Sequence, residues 1–519
     1  MNQHSQEYDI AVVGLGPVGC FGALLFAEAG LRVVAFERDR TVYALPRAVN
    51  LDGEIIRAFQ KVGRGQVVQD LMQKVRPGDR AGFANSKREW LFGQDFIEFG
   101  LNGWQPSNMF DQPEFEGYLR EEVIAHPGIT THIGVEVESV DNESEGARIS
   151  FTGDDTVSHA ATARYAVAAD GAASPVRKSL GIGWRDLGYD HNWLVVDVTV
   201  KAGHTLANDT LQVCDPDRIV TYVCTKDPYR RWEFKMNPGE TKEQMLDEEM
   251  IRSLIDPWTP RDTYEIRRAA VYQFHAATAE TWRVDNILLA GDAAHQTPPF
   301  LGQGMNAGMR DVINLAWKFP LVLSGQVGEA LLDSYAAERN AHAHDLVEWA
   351  VSIGRLMEHL AETERCERAG LEPPAPSSYQ SSGYGQGREQ PPIREGVVLL
   401  EQVSNEGATG YLLPQPVVST PEGEEIRLDE LMGDGFTVLA RSAADLEMSE
   451  DSKAALQRLG AVELSLDGLK AVRGKIDILP PGASAAIIRP DRLVFGHTTA
   501  DVSLDDLVAA LASGLPLNE

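Results

Sequence analysis

The 519-residue sequence predicts an α/β protein in which a Rossmann-type nucleotide-binding domain carries an inserted mixed β-sheet and is followed by a small α/β domain. Three observations predict this class. An apolar, β-branched run near the start stops at a glycine-rich turn, strand-like segments dominate the middle of the chain, and an α/β alternation resumes after a Pro-, Ser- and Gly-rich segment. A chain of this length is expected to form about two to four folding units.

Residues 9–14 (DIAVVG) have the pattern of a buried parallel strand that ends at glycine. A helix is predicted from about Val18 to Ala29, with Gly30 ending it, and residues 31–37 form a second strand. The chain therefore begins with one βαβ unit.

The turn of this unit has the spacing Gly14-x-Gly16-x-x-Gly19. Glycines there allow a tight turn and close approach of the backbone to a pyrophosphate, while the helix N-terminus offers unpaired N–H groups. Glu37 ends the second strand, where its carboxylate can accept hydrogen bonds from adenosine ribose hydroxyls. The turn predicts dinucleotide binding.

Strand and helix patterns divide the rest of the chain. Residues 190–275 are rich in strands, residues 286–292 return to the buried-strand pattern, and residues 304–360 are helical. The predicted parts are the first portion of the nucleotide-binding domain at 1–180, a substrate-binding β-sheet domain at 181–280, the second portion with long helices at 281–370, a linker at 371–395 and a last domain at 396–519.

Charge restricts the possible partners. With 47 basic and 77 acidic residues the formal net charge is −30, which argues against nucleic-acid and anionic-membrane partners. We expect a cytoplasmic protein, because neither a signal peptide nor an apolar run of about 20 residues is evident. The four cysteines are scattered, and a helical His342-x-His344 pair is a poor chelate, so no metal site is predicted.

A second motif follows the buried strand at 286–292. It runs from Gly291-Asp292-Ala-Ala-His295 through Pro298-Pro299-Phe300 to residues 302–306 (GQGMN). Asp292 can accept hydrogen bonds from a ribityl chain, and the helix N-terminus can face the polar edge of an isoalloxazine ring. Two nucleotide-like sites so far apart fit one long FAD molecule. A third strand ends in Asp170-Gly171 before a helix.

These three motifs, in this order, resemble those of the single-component flavoprotein aromatic hydroxylases, the group that includes para-hydroxybenzoate hydroxylase. The resemblance covers about residues 8–345. Residues 214–216 (CDP) and 230–240 (RRWEFKMNPGE) are similar to the 3-(3-hydroxyphenyl)propionate hydroxylase branch. That branch often carries a thioredoxin-like C-terminal domain, so the resemblance implies one at 396–519. Having no cysteine, this domain cannot perform dithiol chemistry, and we expect a structural or dimer-related role in a homodimer.

The resemblance implies an FAD-dependent monooxygenase of aromatic catabolism. Such an enzyme uses NADH or NADPH and O2, through a C4a-hydroperoxyflavin, to hydroxylate a small phenol such as a 3-(3-hydroxyphenyl)propionate- or resorcinol-like compound. One alternative is a hydroxylase or epoxidase acting on a polyketide, quinone precursor or N-heterocycle. Another is a flavin-binding protein that senses or sequesters a ligand without turnover.

The resemblance also implies positions for the cofactor. Arg47 matches an arginine that contacts FAD, Gln112 matches a position near the flavin, and the 170–171 pair matches a motif that contacts both FAD and NAD(P)H. Leu301, where the family usually has a small or polar residue, predicts a flavin-facing loop that is drier or shaped for a different substrate. The predicted cofactor-binding residues are Gly14, Gly16, Pro17, Val18, Gly19, Glu37, Arg38, Arg47, Gln112, Asp170, Gly171, Gly291, Asp292, Pro299, Gly302, Gln303, Gly304, Met305 and Asn306.

Activation of a phenol requires a group that accepts or withdraws its proton. His191, Tyr222 and Tyr272, on or near strands of the inserted sheet, and His295, near Asp292, are the candidates, and none of them stands out. For each of them, structural packing is the competing interpretation. Trp232 and Phe234 share one face of a strand, and Arg218, like Arg230 and Arg231, can hold a substrate carboxylate. The predicted substrate-contacting residues are Trp193, Arg218, Trp232, Phe234, Pro298 and Pro299.

Overall fold

The computed structural model describes residues 7–153, 157–375 and 390–515. Strands and helices alternate along most of this chain. The strands are β1 (Tyr8–Val13), β2 (Val33–Glu37), β3 (Asn50–Asp52), β4 (Arg80–Ala84), β5 (Trp90–Asp95), β6 (Ser107–Met109), β7 (Ile129–Ile133), β8 (Glu136–Glu143), β9 (Gly146–Thr152), β10 (Ser158–Ala168), β11 (Trp184–Val200), β12 (Asp209–Val213), β13 (Val220–Val223), β14 (Tyr229–Lys235), β15 (Tyr264–Ala279), β16 (Arg283–Val284), β17 (Ile287–Leu289), β18 (His295–Gln296), β19 (Val417–Ser419), β20 (Glu425–Arg427), β21 (Thr437–Ala440), β22 (Val462–Ser465), β23 (Lys470–Arg473), β24 (Ala485–Ile488) and β25 (Val494–His497). The helices are α1 (Pro17–Glu28), α2 (Gly53–Lys61), α3 (Gly65–Leu71), α4 (Gln112–Ala125), α5 (Pro175–Ser179), α6 (Lys242–Met245), α7 (Glu248–Ile255), α8 (Gly304–Leu323), α9 (Leu331–Ala369), α10 (Asp429–Met432), α11 (Glu450–Arg458) and α12 (Leu504–Gly514).

The first domain is built on a parallel sheet with the spatial order β7-β2-β1-β10-β17. This is a Rossmann-type order, with β1 in the middle and α1 and α8 packed together beside it. The carboxyl ends of β1, β2, β10 and β17 meet at one edge of the sheet. The three motifs singled out in the sequence follow β1, β10 and β17, and Glu37 ends β2, so all of them lie at this edge.

Local sequence explains why the βαβ unit forms. Pro17 occupies the first turn of α1, where its missing N–H costs no hydrogen bond. Gly30, at φ 84°, follows the helix in a conformation that favours glycine. The observed α1 therefore lies within two residues of the helix predicted from about 18 to 29.

The second domain is an eight-stranded sheet with the order β18-β15-β11-β14-β13-β12-β4-β5, antiparallel except where β12 meets β4. The structure departs here from the predicted boundary at residue 180. The hairpin of β4 and β5, residues 80–95, belongs to this sheet, with Leu211 opposite Gly82. Residues 295–296 also join it. Such edge pairings are long-range hydrogen-bonding contacts, which the local pattern of a strand does not reveal.

The two faces of this second sheet have different environments. On the outer face, Val196, Tyr222 and Trp232 pack in one cluster with Met245 and Ile255 of the helices α6 and α7. Side chains alternate along a strand, so their neighbours Asp197, Gln212, Thr221, Arg231 and Glu233 lie on the opposite face. We call this second surface the cleft face. Arg231 on it hydrogen-bonds to the backbone of the first domain, at Pro46 and Arg47, so the cleft face is turned toward the first domain.

The third domain has a four-stranded sheet with the order β22-β21-β24-β25, in which β21 and β22 are parallel and the other neighbours are antiparallel. Helix α11 connects the parallel strands and α12 follows β25, as in a thioredoxin-like fold. Between β22 and β24 the chain forms β23, which pairs with β19. Most of the predicted linker, residues 376–389, lies outside the described residues.

Buried ion pairs join the third domain to the first. Arg57 binds Asp429 at 2.6 Å, and Arg489 binds Glu338 at 2.8 Å. A cavity of about 1520 Å³ lies between these domains, bordered by Ala29 at the carboxyl end of α1. Its lining also includes Arg310 and Gln390, which both hydrogen-bond to Gln303 of the loop at 302–306. In the part of the chain that the structure describes, no helix is both long and apolar enough to cross a membrane.

Candidate cofactor and substrate site

The structure brings the three glycine-containing motifs into contact. A Cβ atom at Gly14 would lie 2.5 Å from the carbonyl oxygen of Ala169, just before Asp170. A Cβ at Gly308, in α8, would lie 2.7 Å from Val18 Cγ2 and 2.9 Å from Gly291 Cα. Close packing of the first turn of α1 against the Gly291 turn and α8 therefore depends on glycine at these positions.

Two other glycines leave open space instead. No atom lies within 4 Å of the position that a Cβ would take at Gly16 or Gly304. Each begins a helix, where the first N–H groups have no partner within the helix. Gly19 fits only without a side chain, since its Cβ would fall 1.9 Å from the Gly14 carbonyl oxygen. The two openings can admit a pyrophosphate at α1 and a polar ring edge at α8.

Glu37 is fixed beside the first turn. Its carboxylate accepts hydrogen bonds from the backbone N–H groups of Leu15 and Asp39, each at 2.8 Å, and Arg120 lies 3.8 Å away. A carboxylate has further acceptor sites, so Glu37 can still receive ribose hydroxyls. The neighbouring Arg38 is largely exposed and lies 3.7 Å from Asp39.

Asp170 has an incompletely bonded carboxyl group. Its Oδ2 accepts from the Val176 N–H at 3.2 Å, whereas its Oδ1 is buried without a hydrogen-bond partner. Burial raises the pKa of Asp170, although Ser174 and the Val176 N–H oppose the shift. A buried oxygen without a donor is uncommon, and it fits a ligand hydroxyl at this edge. Gly171 follows at φ 82° and leads into α5.

The loop that carries Arg47 is clamped from two sides. Gln112 Oε1 accepts from the N–H groups of Arg47 and Ala48, at 2.9 and 2.7 Å. From the second sheet, Arg231 donates to the carbonyl oxygens of Arg47 and Pro46, at 2.7 and 2.9 Å. Gln112 also donates to Glu116, so both ends of its amide are committed to protein partners. It therefore positions the Arg47 backbone and offers no free amide to a ligand.

Asp292 lies in the same cleft as Arg47. The Asp292 side chain has solvent-accessible surface, yet protein atoms lie densely around it, as expected at the base of an open recess. The surrounding protein raises the pKa of Asp292, while the charges of His295 and Arg47 act to lower it.

The side chains of Gln303 and Asn306 serve the protein rather than the cleft. Gln303 Nε2 donates to both carboxylate oxygens of Asp52, at 3.2 and 3.0 Å. Asn306 accepts from the Asp52 N–H at 2.9 Å and donates to the Gly302 carbonyl at 2.9 Å. Met305 is partly buried against the core of the first domain. In this loop, backbone N–H groups remain the available donors.

His295, one of the catalytic candidates, lies in the protein interior and not on the surface of the cleft. Its side chain is completely buried, with Nε2 2.9 Å from Asp311, and its ring stacks on Trp282. Asp311 also accepts from the Gly291 N–H and from Arg339, both at 2.9 Å. His295 therefore belongs to the buried network that fixes the Gly291 turn.

The structure places Tyr222, Trp232 and Phe234, predicted to be catalytic or to contact substrate, on the outer face and not on the cleft face. All three are buried with the outer-face cluster, and the Tyr222 hydroxyl donates to the Ala207 carbonyl at 2.8 Å. Trp232 and Phe234 do share a face, as the alternation predicted, but it points away from the first domain. Arg218 pairs with Glu240 and donates to the Lys235 carbonyl, so its charge is already neutralised.

Trp193 and Tyr272 lie opposite each other and face the first domain. The Trp193 ring packs against Phe274 and Phe300, with ring centroids 6.1 and 5.3 Å apart. Arg268 lies 4.8 Å over the Tyr272 ring. Together they form an aromatic wall beside the loop of Pro298, Pro299, Phe300 and Leu301, in which Leu301 packs against the same apolar cluster.

His191 lies at the rim of this wall. It is partly exposed and lies 3.4 Å from Glu358 of α9. Burial and the charge of Lys235 lower its pKa, and Glu358 and Asp190 oppose the shift.

The sequence reasoning missed a buried charged cluster on the cleft face. Arg231 binds Asp197 at 2.7 Å, Arg268 lies 3.4 Å from Asp197, and Glu233 lies 3.7 Å from Arg231. Burial raises the pKa of Glu233 to about 7, against the opposing charges of Arg231 and Arg268. The signal was present in the run 230–235 (RRWEFK), where charged residues alternate with apolar ones on a strand otherwise buried on both faces.

Among the described residues, no group of three or more His, Cys, Asp or Glu is placed to hold a metal ion. The open glycines, the unbonded Asp170 oxygen and Asp292 instead form an elongated cleft with donors for phosphates and acceptors for hydroxyls. These residues fit FAD.

Curated proteins with aromatic-hydroxylase names are similar to this chain. The 3-(3-hydroxy-phenyl)propionate/3-hydroxycinnamic acid hydroxylase of Klebsiella pneumoniae (strain 342) is 32% identical, over 84% of this chain and 78% of that protein. The probable NADH-specific resorcinol 4-hydroxylase of Rhodococcus jostii (strain RHA1) is 31% identical, over 97% of this chain and 95% of that protein.

Solved structures share the fold along nearly the whole chain. Aklavinone-11 hydroxylase, in a ternary complex with FAD and aklavinone, matches with a TM-score of 0.81 at 24% identity, over 99% of this chain and 100% of that one. The rebeccamycin biosynthetic enzyme RebC, with reduced flavin, matches with a TM-score of 0.72 at 20% identity, over 98% and 99%.

Two family models divide the chain as the fold does. A model described as the HcaD C-terminal domain matches residues 410–475, within the third domain. A model described as the FAD binding domain matches residues 7–350, which is more than half of the chain and holds every motif of the cleft. The chain therefore belongs to the FAD binding domain family.

Proposed function

We propose that this protein is an FAD-dependent monooxygenase that uses NADH or NADPH and O2 to hydroxylate a small phenolic compound. One observation carries the proposal. The glycine turns at 14–19 and 291 pack against each other through Val18 and Gly308, and the cleft that they border adjoins the aromatic wall of the second sheet. A dinucleotide held along this edge would present its ring end to a ligand on that wall.

The cleft residues divide between the two ends of the cofactor. We assign the adenosine end to the turn at 14–19 and Glu37, and the ring end to Asp292 and the N–H groups of 302–306. Asp170 and Arg47 lie between these groups along the edge. Bound FAD would supply the electron transfer and oxygen activation, so the chain itself has to bind, orient and shield.

Shielding depends on the loop at 298–301. Phe300 packs against Trp193 and Phe274, and Gln212 Nε2 donates to the Phe300 carbonyl at 3.3 Å. This holds an apolar side chain over the cleft face and reduces access of water to the reacting ring. Water exclusion matters because activated oxygen is otherwise lost as H2O2.

The substrate is proposed to be a 3-(3-hydroxyphenyl)propionate- or resorcinol-like phenol, with a role in aromatic catabolism. The names of the two curated relatives support this choice. The cleft face is also suited to it, because aromatic side chains form its wall and charged groups lie next to them. A homodimer remains a prediction, which light scattering on the purified protein would test.

The test is oxidation of NADH and of NADPH by the FAD-loaded protein against a panel of phenols, with H2O2 and products measured together. We expect resorcinol or 3-(3-hydroxyphenyl)propionate to accelerate NAD(P)H oxidation and to yield a product with one added oxygen. Stimulation only by polyketides, quinone precursors or N-heterocycles would overturn the substrate class. Bound FAD without ligand-stimulated oxidation by any compound would favour a sensor.

A further inference from the structure

Glu233 differs from the other members of the buried charged cluster in its bonding. Asp197 receives Arg231 through two hydrogen bonds, at 2.7 and 3.2 Å, and Arg268 at 3.4 Å. Glu233 is 5% exposed, yet its nearest cation, Arg231, is 3.7 Å away, beyond hydrogen-bond distance. No side-chain hydrogen bond to Glu233 is present among the described residues.

The register of the sheet places Glu233 between the two structures that border the proposed ring site. Its cross-strand neighbours are Val195 on β11 and Thr221 on β13. Thr221 donates to Gln212 at 2.6 Å, and Gln212 donates to the Phe300 carbonyl, so this row of residues leads to the loop at 298–301. Two residues before Glu233, Arg231 holds the Arg47 loop.

A purely structural role would require Glu233 to neutralise an arginine. Arg231 already has a hydrogen-bonded carboxylate in Asp197, and the alternating partner on the same strand, Lys235, pairs with Glu358. Glu233 is thus a buried carboxyl group that, among the described residues, has no hydrogen-bonded cation of its own. The charged groups that face it are Arg231, Asp197 on β11 and Arg268 on β15, and Tyr43 and Arg47 of the clamped loop act on Arg268.

We propose that Glu233 is a catalytic residue that accepts the hydroxyl proton of the phenolic substrate. The inference rests on the proposed function and names the base that this function requires. In the step, the phenol O–H bond breaks and a carboxyl O–H bond forms on Glu233, while the electron pair stays on the phenolate oxygen. The phenolate ring is the stronger nucleophile toward activated oxygen, and Arg231 and Arg268 offset its negative charge. When the product regains aromaticity, the hydroxylated ring carbon loses its hydrogen to solvent as a proton, and the proton held on Glu233 returns to the phenolate oxygen, so Glu233 ends the step ionised as it began.

The acid–base properties of the site agree with this role. Burial raises the pKa of Glu233 to about 7. Its ionised form, the acceptor, therefore predominates above about pH 7 and is lost below it. A base whose pKa lies near the working pH combines the correct protonation state with useful basicity.

The experiment compares the FAD-loaded wild type with Glu233→Gln, which keeps the shape of the side chain but cannot take a proton. The matched control is Glu265→Gln, on β15 of the same sheet, where the side chain is 75% exposed and 3.8 Å from Lys201. Resorcinol binding is measured by its perturbation of the flavin absorbance between about pH 6 and 8.5, and coupled hydroxylation is measured over the same range. Flavin content and melting temperature report folding, and Glu233→Asp serves as a second variant if the glutamine variant folds poorly.

We expect the wild type and Glu265→Gln to bind resorcinol several-fold more tightly at high pH, with a midpoint near pH 7. Glu233→Gln should bind it without that inflection and lose about 100-fold in coupled turnover, with H2O2 taking the place of product. Glu233→Asp should retain the inflection at reduced turnover. An unchanged pH profile and turnover in Glu233→Gln would overturn the inference and leave the proposed function intact. A wild type that neither binds nor hydroxylates any phenol would overturn both.

Discussion

Arg489 Nη2 lies 2.8 Å from Glu338 Oε2, and neither side chain has any exposed surface. Arg489 follows β24 in the third domain and Glu338 lies in α9 of the first. Lys318 Nζ lies 3.1 Å from the other oxygen of the same carboxylate, and the Val397 N–H donates to it at 2.9 Å. The third domain is therefore held to the flavin-binding domain by a buried charge network centred on Glu338.

Arg489→Met should destabilise the protein strongly. The substitution takes the cation from buried Asp491, which pairs with Arg489 at 2.6 Å, and leaves Glu338 with Lys318 alone. Breaking a buried ion pair in this way costs about 3–5 kcal/mol in the free energy of unfolding. Chemical denaturation of the FAD-loaded protein measures this change. Lys453→Met removes the exposed Lys453–Glu450 pair and should change the same quantity by less than about 1 kcal/mol. Equal effects of the two substitutions would contradict the buried network.

Acid should weaken the same network. Arg489 and Lys318 lower the pKa of Glu338 from 4.5 to about 2, against the opposing effect of burial. Because the folded-state pKa lies below the unfolded one, the stabilisation is complete above about pH 4.5 and is lost as the pH falls toward 2, by at most about 3 kcal/mol. Denaturation at a series of pH values should show a smaller acid-induced loss in Glu338→Gln than in the wild type. Parallel pH curves for the two proteins would count against this assignment.

Gly308→Ala should weaken FAD retention. The added methyl group would meet Val18 Cγ2 at 2.7 Å and the Gly291 backbone at 2.9 Å, so the two glycine turns must separate at a cost of about 1–3 kcal/mol. Flavin content after purification and the melting temperature measure the effect. Gly117→Ala, in α4 with no atom within 4 Å of its Cβ position, should be neutral or slightly stabilising. Full flavin content in Gly308→Ala would show that the contact between the turns is dispensable.

Gln112→Leu should reduce the affinity for FAD by about 10-fold or more. The change removes the acceptor of the Arg47 and Ala48 N–H groups and leaves two donors unsatisfied, each costing about 1–3 kcal/mol if it stays buried. Titration of the apoprotein with FAD gives the dissociation constant. Gln66→Leu, which loses only an exposed bond to Asp70, should bind FAD as the wild type does. An unaffected Gln112→Leu would show that the clamp from Arg231 is sufficient.

Local sequence determined much of this protein. Apolar runs that end in glycine specified β1 and β17 as buried strands. The α/β alternation expected after the Pro-, Ser- and Gly-rich segment is present as α11, α12, β21 and β24. These features could be predicted because each depends on side-chain periodicity and on backbone conformations available to glycine. The family resemblance supplied the thioredoxin-like expectation for the last domain, and its strand order agrees.

The tertiary structure decided what each periodic pattern faces. Alternation along β14 puts Trp232 and Glu233 on opposite faces of the sheet. Helices α6 and α7 cover the Trp232 face, whereas the first domain lies over the Glu233 face, and this packing places Glu233 on the cleft face. His295 lies three residues from Asp292, yet Asp311 and Trp282 bury it. The hairpin at 80–95 joined the second sheet through hydrogen bonds to a strand more than 100 residues away. A side-chain period fixes which residues share a surface, whereas long-range packing determines whether that surface becomes core or active site.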